Sequence, residues 1–517
     1  MPAERASIVF IGFMGAGKSA AARGAARALG TGFVDTDRLI AEQIPGGSIS
    51  GYFREHGEPA FRELEERVVL EALDRSGAIV ALGGGAVESE RIREALRDHV
   101  TAWCRVEEEV AWERSSGTDR PLARDRDGFR RRWSARRPLY EECGRVVLPS
   151  GGEQIGFAAA PWLDALRDRP GVRMYWSRTP SGDAPAVVGP GATRLFDDAP
   201  ALRPGVRLFG MADRDAYAAA GDLMPAVEDE PVLFAGGETA KTVGGAEALL
   251  RELARAGVRR EDALLAFGGG VAGDLAGFCA AVYQRGVPVV QVPTTLVAQV
   301  DSAYGGKTGV DLPEGKNYVG CFHQPAAVLT DPEALRTLPA AELAAGFAEV
   351  VKTALIAGGP LWERVRDLEV VDADSVAPLV FDCAATKLGV VGADERDSGL
   401  RAVLNLGHTV GHGIEAATGY ERYRHGEAIS IGLVAALRLS GAEGLGQEVA
   451  ALLDRAGLPT SLDTAVDAEA VLDAVGRDKK RTAEGIGFVT ISAPGEVRFG
   501  QRIDAASLRR VVEELAR

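Results

Sequence analysis

Two groups of residues in this 517-residue chain combine types and spacings that chemistry uses. The first is Gly12-Phe13-Met14-Gly15-Ala16-Gly17-Lys18-Ser19, which matches G-x-x-x-x-G-K-[ST]. It follows the apolar run Ile8-Val9-Phe10-Ile11 and opens an alanine-rich helical stretch from Ser19, the strand–loop–helix context that this pattern requires. Gly12, Gly15 and Gly17 let backbone N–H groups wrap a triphosphate, and the helix N-terminus favours its charge. Lys18 reaches the outer phosphates and Ser19 ligates Mg²⁺, so ATP with Mg²⁺ is the expected ligand. The second group is histidine. Of six histidines, His408, His412 and His425 fall within 18 residues. His408 and His412 stand four apart in a helical stretch and share one face, and His425-Gly426-Glu427 follows in a loop. On spacing alone both helical histidines, a third His and an acid make a zinc site. The bland alternative is polar histidines satisfied within a helical core.

Other residues gather around these two. Asp35-Thr36-Asp37 follows the predicted strand Gly32-Phe33-Val34, at the edge where α/β ligands bind. The two acids suit magnesium and a hydroxyl acceptor; taken alone they also read as a helix N-cap or a surface turn. Farther on, Leu264-Leu265-Ala266-Phe267 runs into Gly268-Gly269-Gly270-Val271-Ala272-Gly273-Asp274 and then a helix, which fits a pyrophosphate site. Upstream, Gly236-Gly237-Glu238-Thr239-Ala240-Lys241 offers an acid for ribose hydroxyls and a lysine, and Pro293-Thr294-Thr295 follows another strand. Lysine itself is a marker. The chain has eight lysines against 51 arginines, so each retained lysine ranks as a candidate for a compact ammonium or a shiftable pKa.

The elements that must position these residues alternate. Short apolar strands at Ala78–Leu82, Val100–Cys104 and Arg145–Leu148 are separated by helix-period segments, with a last helix near Gln154–Leu166. That pattern predicts a parallel α/β domain. A polar junction, Arg167-Asp168-Arg169-Pro170-Gly171, marks the expected boundary. Beyond it, β-like runs (Ala186–Gly189, Val206–Phe209, Val232–Ala235, Ala263–Phe267, Val287–Val292) precede a strongly helical region from about Glu342 to Gly444.

Composition narrows the class. Hydrophobic residues at 46% and charged residues at 26% exclude wholesale disorder. No stretch of about 20 uncharged apolar residues spans a membrane, and the N-terminus lacks a signal pattern. The five cysteines are scattered without a C-x-x-C pair, which points to the cytoplasm. A net charge of -15 argues against a nucleic-acid partner. Acids interleave with the arginine-dense run Arg120–Arg137, which has no aromatic platform for RNA.

Together with the glycine loop and Asp35-Thr36-Asp37, the motifs Gly57-Glu58-Pro59-Ala60-Phe61-Arg62, Leu82-Gly83-Gly84-Gly85-Ala86-Val87, Arg120-Pro121-Leu122 and Arg136-Arg137-Pro138-Leu139-Tyr140 resemble shikimate kinase over residues 1–167. The resemblance implies that Asp35 supports the Mg²⁺ shell and that Asp37 binds and polarises the attacking hydroxyl. It implies that Arg62 and Arg136 hold the shikimate carboxylate, with Gly84 allowing close backbone approach. Arg120 would belong to a lid and stabilise the transferring phosphoryl group, alongside Lys18. The segment Arg114–Arg120 departs from the family pattern in being short and poor in further basic residues.

The second half carries its own set: Gly268–Asp274, Val300-Asp301-Ser302-Ala303-Tyr304-Gly305-Gly306-Lys307-Thr308, Glu314-Gly315-Lys316-Asn317, Ala348-Glu349-Val350-Val351-Lys352, Gly399–Thr409 and His425-Gly426-Glu427. These resemble 3-dehydroquinate synthase over about residues 172–517. The resemblance revises the ligand set to Glu349, His408 and His425, with zinc or cobalt, and leaves His412 free for proton transfer. It places NAD⁺ on Glu238, Lys241, Gly268, Gly269, Gly270, Asp274, Thr294 and Thr295, and puts Asp301 and Lys307 with His412 among the catalytic residues. Lys307, Asn317, Asn405, His412 and Arg285 (from another subunit) would surround a leaving phosphate, and Arg401, Lys316, Lys352, Lys387 and Lys479 or Lys480 would complete the polar cage.

The expectation is therefore an α/β chain in successive parts: a P-loop kinase domain with a parallel sheet and lid (1–167), a junction (168–171), a Rossmann-like NAD-binding domain (172–335) and a mainly helical metal- and substrate-binding domain (336–517). Its expected activity is bifunctional, ATP-dependent phosphorylation of shikimate together with conversion of 3-deoxy-D-arabino-heptulosonate 7-phosphate to 3-dehydroquinate and phosphate. The expected partners are small molecules and a second copy of the chain. Three other readings remain open: a sugar-phosphate cyclase of secondary metabolism, a metal-dependent polyol dehydrogenase, and a first half that binds ATP as a regulatory module.

Overall fold

The computed structural model describes residues 5–117, 125–199, 205–479 and 487–516. The chain forms two compact units, Met1–Ser177 with Leu195–Pro204, and Arg178–Arg194 with Gly205–Arg517.

The first unit is built on a parallel sheet. Its strands are β1 (Ile8–Ile11), β2 (Val34–Asp35), β3 (Ile79–Ala81), β4 (Val100–Arg105), β5 (Val146–Pro149) and β6 (Arg173–Thr179), in the order β2-β3-β1-β4-β5-β6. All four residues of β1 are buried, as expected of a central parallel strand covered on both faces. The helix Lys18–Ala28 leaves the end of β1 and packs on the helix Gly152–Ala165. Small residues set that approach: a Cβ on Gly156 would run into the Ala21 carbonyl, and one on Gly24 into the Glu153 carbonyl.

The expected junction at 168–171 lies within this unit. Arg145 donates from Nε to the Val172 carbonyl (2.8 Å) and from Nη2 to the Leu166 carbonyl (2.7 Å). The register Val146↔Met174 and Val147↔Tyr175 then joins β6 to β5. A Pro/Gly-rich turn thus feeds one more strand into the same sheet rather than ending the unit.

In the second unit, β7 (Gly182–Val188), β8 (Leu208–Asp213), β9 (Val232–Phe234), β10 (Ala263–Gly268), β11 (Val289–Pro293) and β14 (Ala327–Thr330) run in the order β7-β14-β11-β10-β8-β9, with parallel pairings. Between β11 and β14 an antiparallel ribbon is inserted, β12 (Lys307–Leu312) with β13 (Gly315–Phe322). A second ribbon, β15 (Phe488–Ile491) with β16 (Val497–Gln501), follows the helices.

The helical part starts at Ala340–Ala357 and continues through Val380–Ala393, His408–Ala417 and His425–Leu439. Glycine again sets the spacing, since a Cβ on Gly426 would meet the Ala345 carbonyl and one on Gly432 the Gly407 carbonyl. The start of His425–Leu439 thus lies against Ala340–Ala357, and the start of His408–Ala417 against the middle of His425–Leu439. One described segment, Ala373–Ala393, has the length and mean hydropathy of a membrane span. Half of it is buried within the protein, and it carries Lys387 toward Asp301, 2.8 Å away.

Candidate active sites

In the first unit the glycine loop has the backbone that its sequence demands. Gly12, Gly15 and Gly17 all hold positive φ, which L side chains rarely adopt. A Cβ on Gly15 would also approach the Ala111 carbonyl to 2.9 Å. Gly17 caps the helix that begins at Lys18, so the first helical N–H groups face the loop. Lys18 Nζ donates to the Phe13 carbonyl at 3.1 Å, folding the ammonium back over the loop. Ser19 follows in the first helical turn.

The acceptor side forms around β2, β3 and the helix Ile49–Leu73. Asp35 is the N-cap of the helix Thr36–Gln43 and accepts from the Asp37 N–H at 3.1 Å. Thr36 is buried and accepts from the Gly83 N–H at 3.1 Å, which ties Asp37 to the Gly83-Gly84-Gly85 turn. A Cβ on Gly83 would come 2.7 Å from both Asp37 Oδ1 and Glu65 Oε1, so the two acids flank one spot. Arg62 pairs with Glu65 (2.6 Å), Glu58 (2.9 Å) and Glu88 (3.0 Å). Arg136, 2% exposed, makes a forked pair with Glu88 through Nε (3.0 Å) and Nη2 (2.9 Å). Burial pushes the Glu65 carboxyl up, and Arg62 opposes the shift. Glu65 and Glu88 were invisible to motif reading; Arg62–Glu65 at i,i+3 was the available signal for the first. Arg120 lies outside the described residues.

The second unit holds a cleft of about 1160 Å³ whose wall includes Glu238, Lys241, Asp274, Asn317, His412 and His425. Gly268, with φ 147°, turns the chain from β10 into the helix Gly270–Val282. A Cβ on Gly269 would meet Thr295 Cγ2 at 2.9 Å, so loop and Thr294-Thr295 segment are matched to bare backbone. Lys241 is buried and bridges Glu238 (3.2 Å), Asp274 (3.2 Å) and Asn317 Oδ1 (3.0 Å). Asn317 takes a left-handed φ of 57°, and its N–H donates to Asp311 at 2.7 Å, which fixes the β12–β13 turn beside the glycine loop. Burial pushes Asp274 up to about 6 despite Lys241. Lys316 lies 3.4 Å from Glu238 and 3.7 Å from Glu415.

Deeper in, Lys352 Nζ stands 2.5 Å from Glu349 and 3.3 Å from Asp301, while Lys387 reaches the other Asp301 oxygen at 2.8 Å. The two lysines move in opposite directions. Burial lowers Lys387, opposed by Asp301 and aided by the neighbouring charges of Lys352 and Arg401. Burial also opposes charge on Lys352, but Asp301 and Glu349 together raise it. Asp301 is held well below the carboxylate range, its burial outweighed by both ammonium groups.

Glu349, His408 and His425 present ligand atoms within 4.8 Å of one another. His408 Nε2 lies 3.5 Å and His425 Nε2 3.4 Å from Glu349 Oε1. His408 Nδ1 donates to the Leu406 carbonyl at 3.2 Å, so its Nε2 lone pair faces the acid. Burial, with Lys352 nearby, pushes His408 down to about 3, which keeps it neutral. His425 is driven the other way, to about 10, because Glu349 and Glu415 outweigh its burial.

The decisive feature is that both Glu349 oxygens are buried without a hydrogen bond; Lys352 neutralises the charge but does not meet hydrogen-bond geometry. A buried carboxylate left so fits a cation between it and two imidazoles. His412, Glu415 and His425 form a second trio of similar compactness, but His412 is exposed there, and Glu415 already faces His425 Nδ1 at 3.4 Å.

The remaining expected residues are more dispersed. Lys307 pairs with Asp397 at 2.5 Å, an acid not singled out from the sequence. Arg401 is buried and donates to the carbonyls of Gly305 (3.1 Å) and Glu395 (2.7 Å). Asn405 ends a short turn at the surface, and Arg285 lies in a left-handed turn outside the cleft wall. Lys480 lies outside the described residues.

Comparison with known proteins follows the same division. Family models described as 3-dehydroquinate synthase N-terminal and C-terminal match residues 231–345 and 346–481. A 3-dehydroquinate synthase of Symbiobacterium thermophilum is 43% identical over 320 residues, 60% of this chain and 88% of that protein. The chain belongs to the 3-dehydroquinate synthase family. Ahead of the synthase part it carries a shikimate kinase domain, whose family model matches residues 14–166. It thus combines a kinase with a cyclising lyase.

Another 3-dehydroquinate synthase, from Nostoc punctiforme, is 44% identical over 267 residues, 50% of this chain and 74% of that protein. Solved structures share the synthase fold at 24% identity and a TM-score of 0.57. One is 2-deoxy-scyllo-inosose synthase with carbaglucose-6-phosphate, NAD⁺ and Co²⁺, covering 66% of this chain and 99% of that one. Another is 2-epi-5-epi-valiolone synthase from Streptomyces hygroscopicus with NAD⁺ and Zn²⁺, covering 64% and 96%.

Proposed function

We propose that the chain catalyses two reactions at separate sites: transfer of the ATP γ-phosphoryl group to the 3-hydroxyl of shikimate, and conversion of 3-deoxy-D-arabino-heptulosonate 7-phosphate to 3-dehydroquinate and phosphate. In the kinase, Lys18 and the loop N–H groups neutralise the outer phosphates, and Asp37 accepts the hydroxyl proton. Ser19 and Asp35 hold Mg²⁺. Arg62 and Arg136 orient the acceptor through its carboxylate, beside the Gly84 backbone, and Arg120 adds charge to the transferring group.

The observation that carries the synthase reading is the buried Glu349 carboxylate facing two imidazoles. A zinc or cobalt ion held by Glu349, His408 and His425 would polarise a substrate hydroxyl, and NAD⁺ on the Gly268–Gly270 loop would accept and return a hydride. Around them His412 moves protons, Lys307 and Asn317 with Asn405 hold the phosphate, and Lys316, Lys352, Lys387, Arg401 and Lys480 surround the remaining oxygens, with Asp301 orienting two of the lysines. Arg285 reads as reaching the site of a second copy, which makes the protein a homodimer, testable by sedimentation. The cyclases of secondary metabolism share only the fold at 24% identity, whereas the relatives above 40% are dehydroquinate synthases.

A pair of product assays on the full-length chain tests the proposal. Heptulosonate phosphate with NAD⁺ and metal should yield dehydroquinate and phosphate, and shikimate with ATP should yield shikimate 3-phosphate. A chain that binds ATP without consuming it in the presence of shikimate would be a nucleotide sensor instead.

A further inference from the structure

In the acceptor pocket of the kinase unit the two arginines are already occupied by carboxylates of the chain. Asp37, Glu58, Glu65 and Glu88 stand against Arg62 and Arg136. An anionic acceptor entering between these arginines competes with the carboxylates already paired to them, so one of those must leave. The geometry selects which one leaves. Glu65 is 4% exposed at its side chain and locked by Arg62 at 2.6 Å. Glu88 is 39% exposed and sits at the end of the short turn Ala86–Glu88, directly after the three glycines. Among the described acids it alone touches both arginines, with a forked pair to Arg136 and a third contact, 3.0 Å, to Arg62.

A carboxylate that bridges two guanidiniums, one of them buried, is placed as a bound carboxylate ligand would be. We infer that Glu88 is an internal surrogate for the acceptor's carboxylate: it fills the anion subsite between Arg62 and Arg136 when no acceptor is bound, and it must swing outward for the acceptor to bind. The inference rests on the kinase reading and the role of those two arginines. Binding then exchanges one forked charge-assisted pair for another, so the apparent affinity for the acceptor is set by the difference between them. Glu88 also protects the buried Arg136 from standing unpaired, which is costly. A neutral ligand of the same shape cannot displace the internal carboxylate, so Glu88 sharpens selection for an acid over its amide or ester.

Steady-state kinetics with shikimate as the varied substrate at saturating ATP test this. Glu88→Gln should raise kcat/KM for shikimate about three- to tenfold through a lower KM, the scale of one weakened charge-assisted pair, and Glu88→Ala should go further. Calorimetric titration of shikimate without ATP should show the same gain in Kd, and discrimination against shikimate methyl ester should narrow. A raised KM joined to a fallen kcat in both variants would overturn the inference, because Glu88 would then be positioning the arginines. An unchanged KM, with the unaltered chain active on shikimate, would also overturn it while leaving the kinase reading intact. Absence of shikimate-dependent turnover by the unaltered chain would remove that reading and the inference together.

Discussion

The acceptor pocket of the kinase unit and the cleft of the synthase unit both set cations against carboxylates, but they use different cations. Arg136 meets the plane of Glu88 edge to edge, and Arg62 spreads its donors over several acids. In the synthase unit the work falls to Lys241, Lys316, Lys352 and Lys387, each a compact charge near two or more groups. A guanidinium keeps its proton and recognises a plane; an ammonium is a point charge whose pKa follows its surroundings. Lys352 and Lys387 share one acid yet shift in opposite directions. A chain with 51 arginines thus keeps lysine where the charge must be small or adjustable.

The sharpest way to separate the two sites is to damage one and read both. Glu349→Gln should lower dehydroquinate formation about a thousandfold and reduce bound metal measured by emission spectroscopy, with shikimate phosphorylation retained. Asp37→Asn should do the reverse, cutting phosphorylation about a hundredfold with dehydroquinate formation kept. Crossed losses in either variant would break the picture of independent sites. Lys241→Met should cost about 3 kcal/mol in urea unfolding of the synthase unit, because Asp274 is then left buried without its cation, and NAD⁺ affinity should fall with it. Gly156→Ala should cost about 2 kcal/mol, confined to the kinase unit, since the new methyl meets the Ala21 carbonyl.

The smallest effect expected is on acid stability. Asp394 accepts from the N–H groups of Arg401, Ser398 and Gly399, which hold it well below its ordinary 3.8. The folded form therefore stays ionised where the unfolded chain protonates. Its stabilisation is complete above about pH 4 and is lost as the pH falls toward the depressed value. Asp394→Asn should lower stability at pH 7 and flatten the acid limb of the unfolding curve followed by circular dichroism.

Much of this was legible in the residues. The glycine loop, the apolar runs of β1, β8 and β10 and the onset of helix near 340 can be read from pattern, because each depends on local spacing. Asp35 showed that two readings can hold at once, as it is a helix N-cap at the sheet edge. What pattern could not supply was partnership. Glu65, Glu88, Asp397 and Glu415 have no signature of their own and matter only through a cation or imidazole that folding brings near. The β12–β13 ribbon escaped for a similar reason, since its Gly- and Lys-bearing strands lack a clean apolar alternation, and the β6 strand hid behind a proline turn.

The buried Glu349 carboxylate, set between two imidazoles and the Lys352 ammonium, bears on stability as well as on chemistry. Lys352 already balances its charge, and a cation bound there only by the folded chain would add further stability, about 2.7 kcal/mol when present at a hundred times its Kd. On the proposed ligand set, supply of the ion would then help to set how much of the synthase unit stays folded. A chelator would then act on this protein as a mild denaturant, lowering the midpoint of urea unfolding.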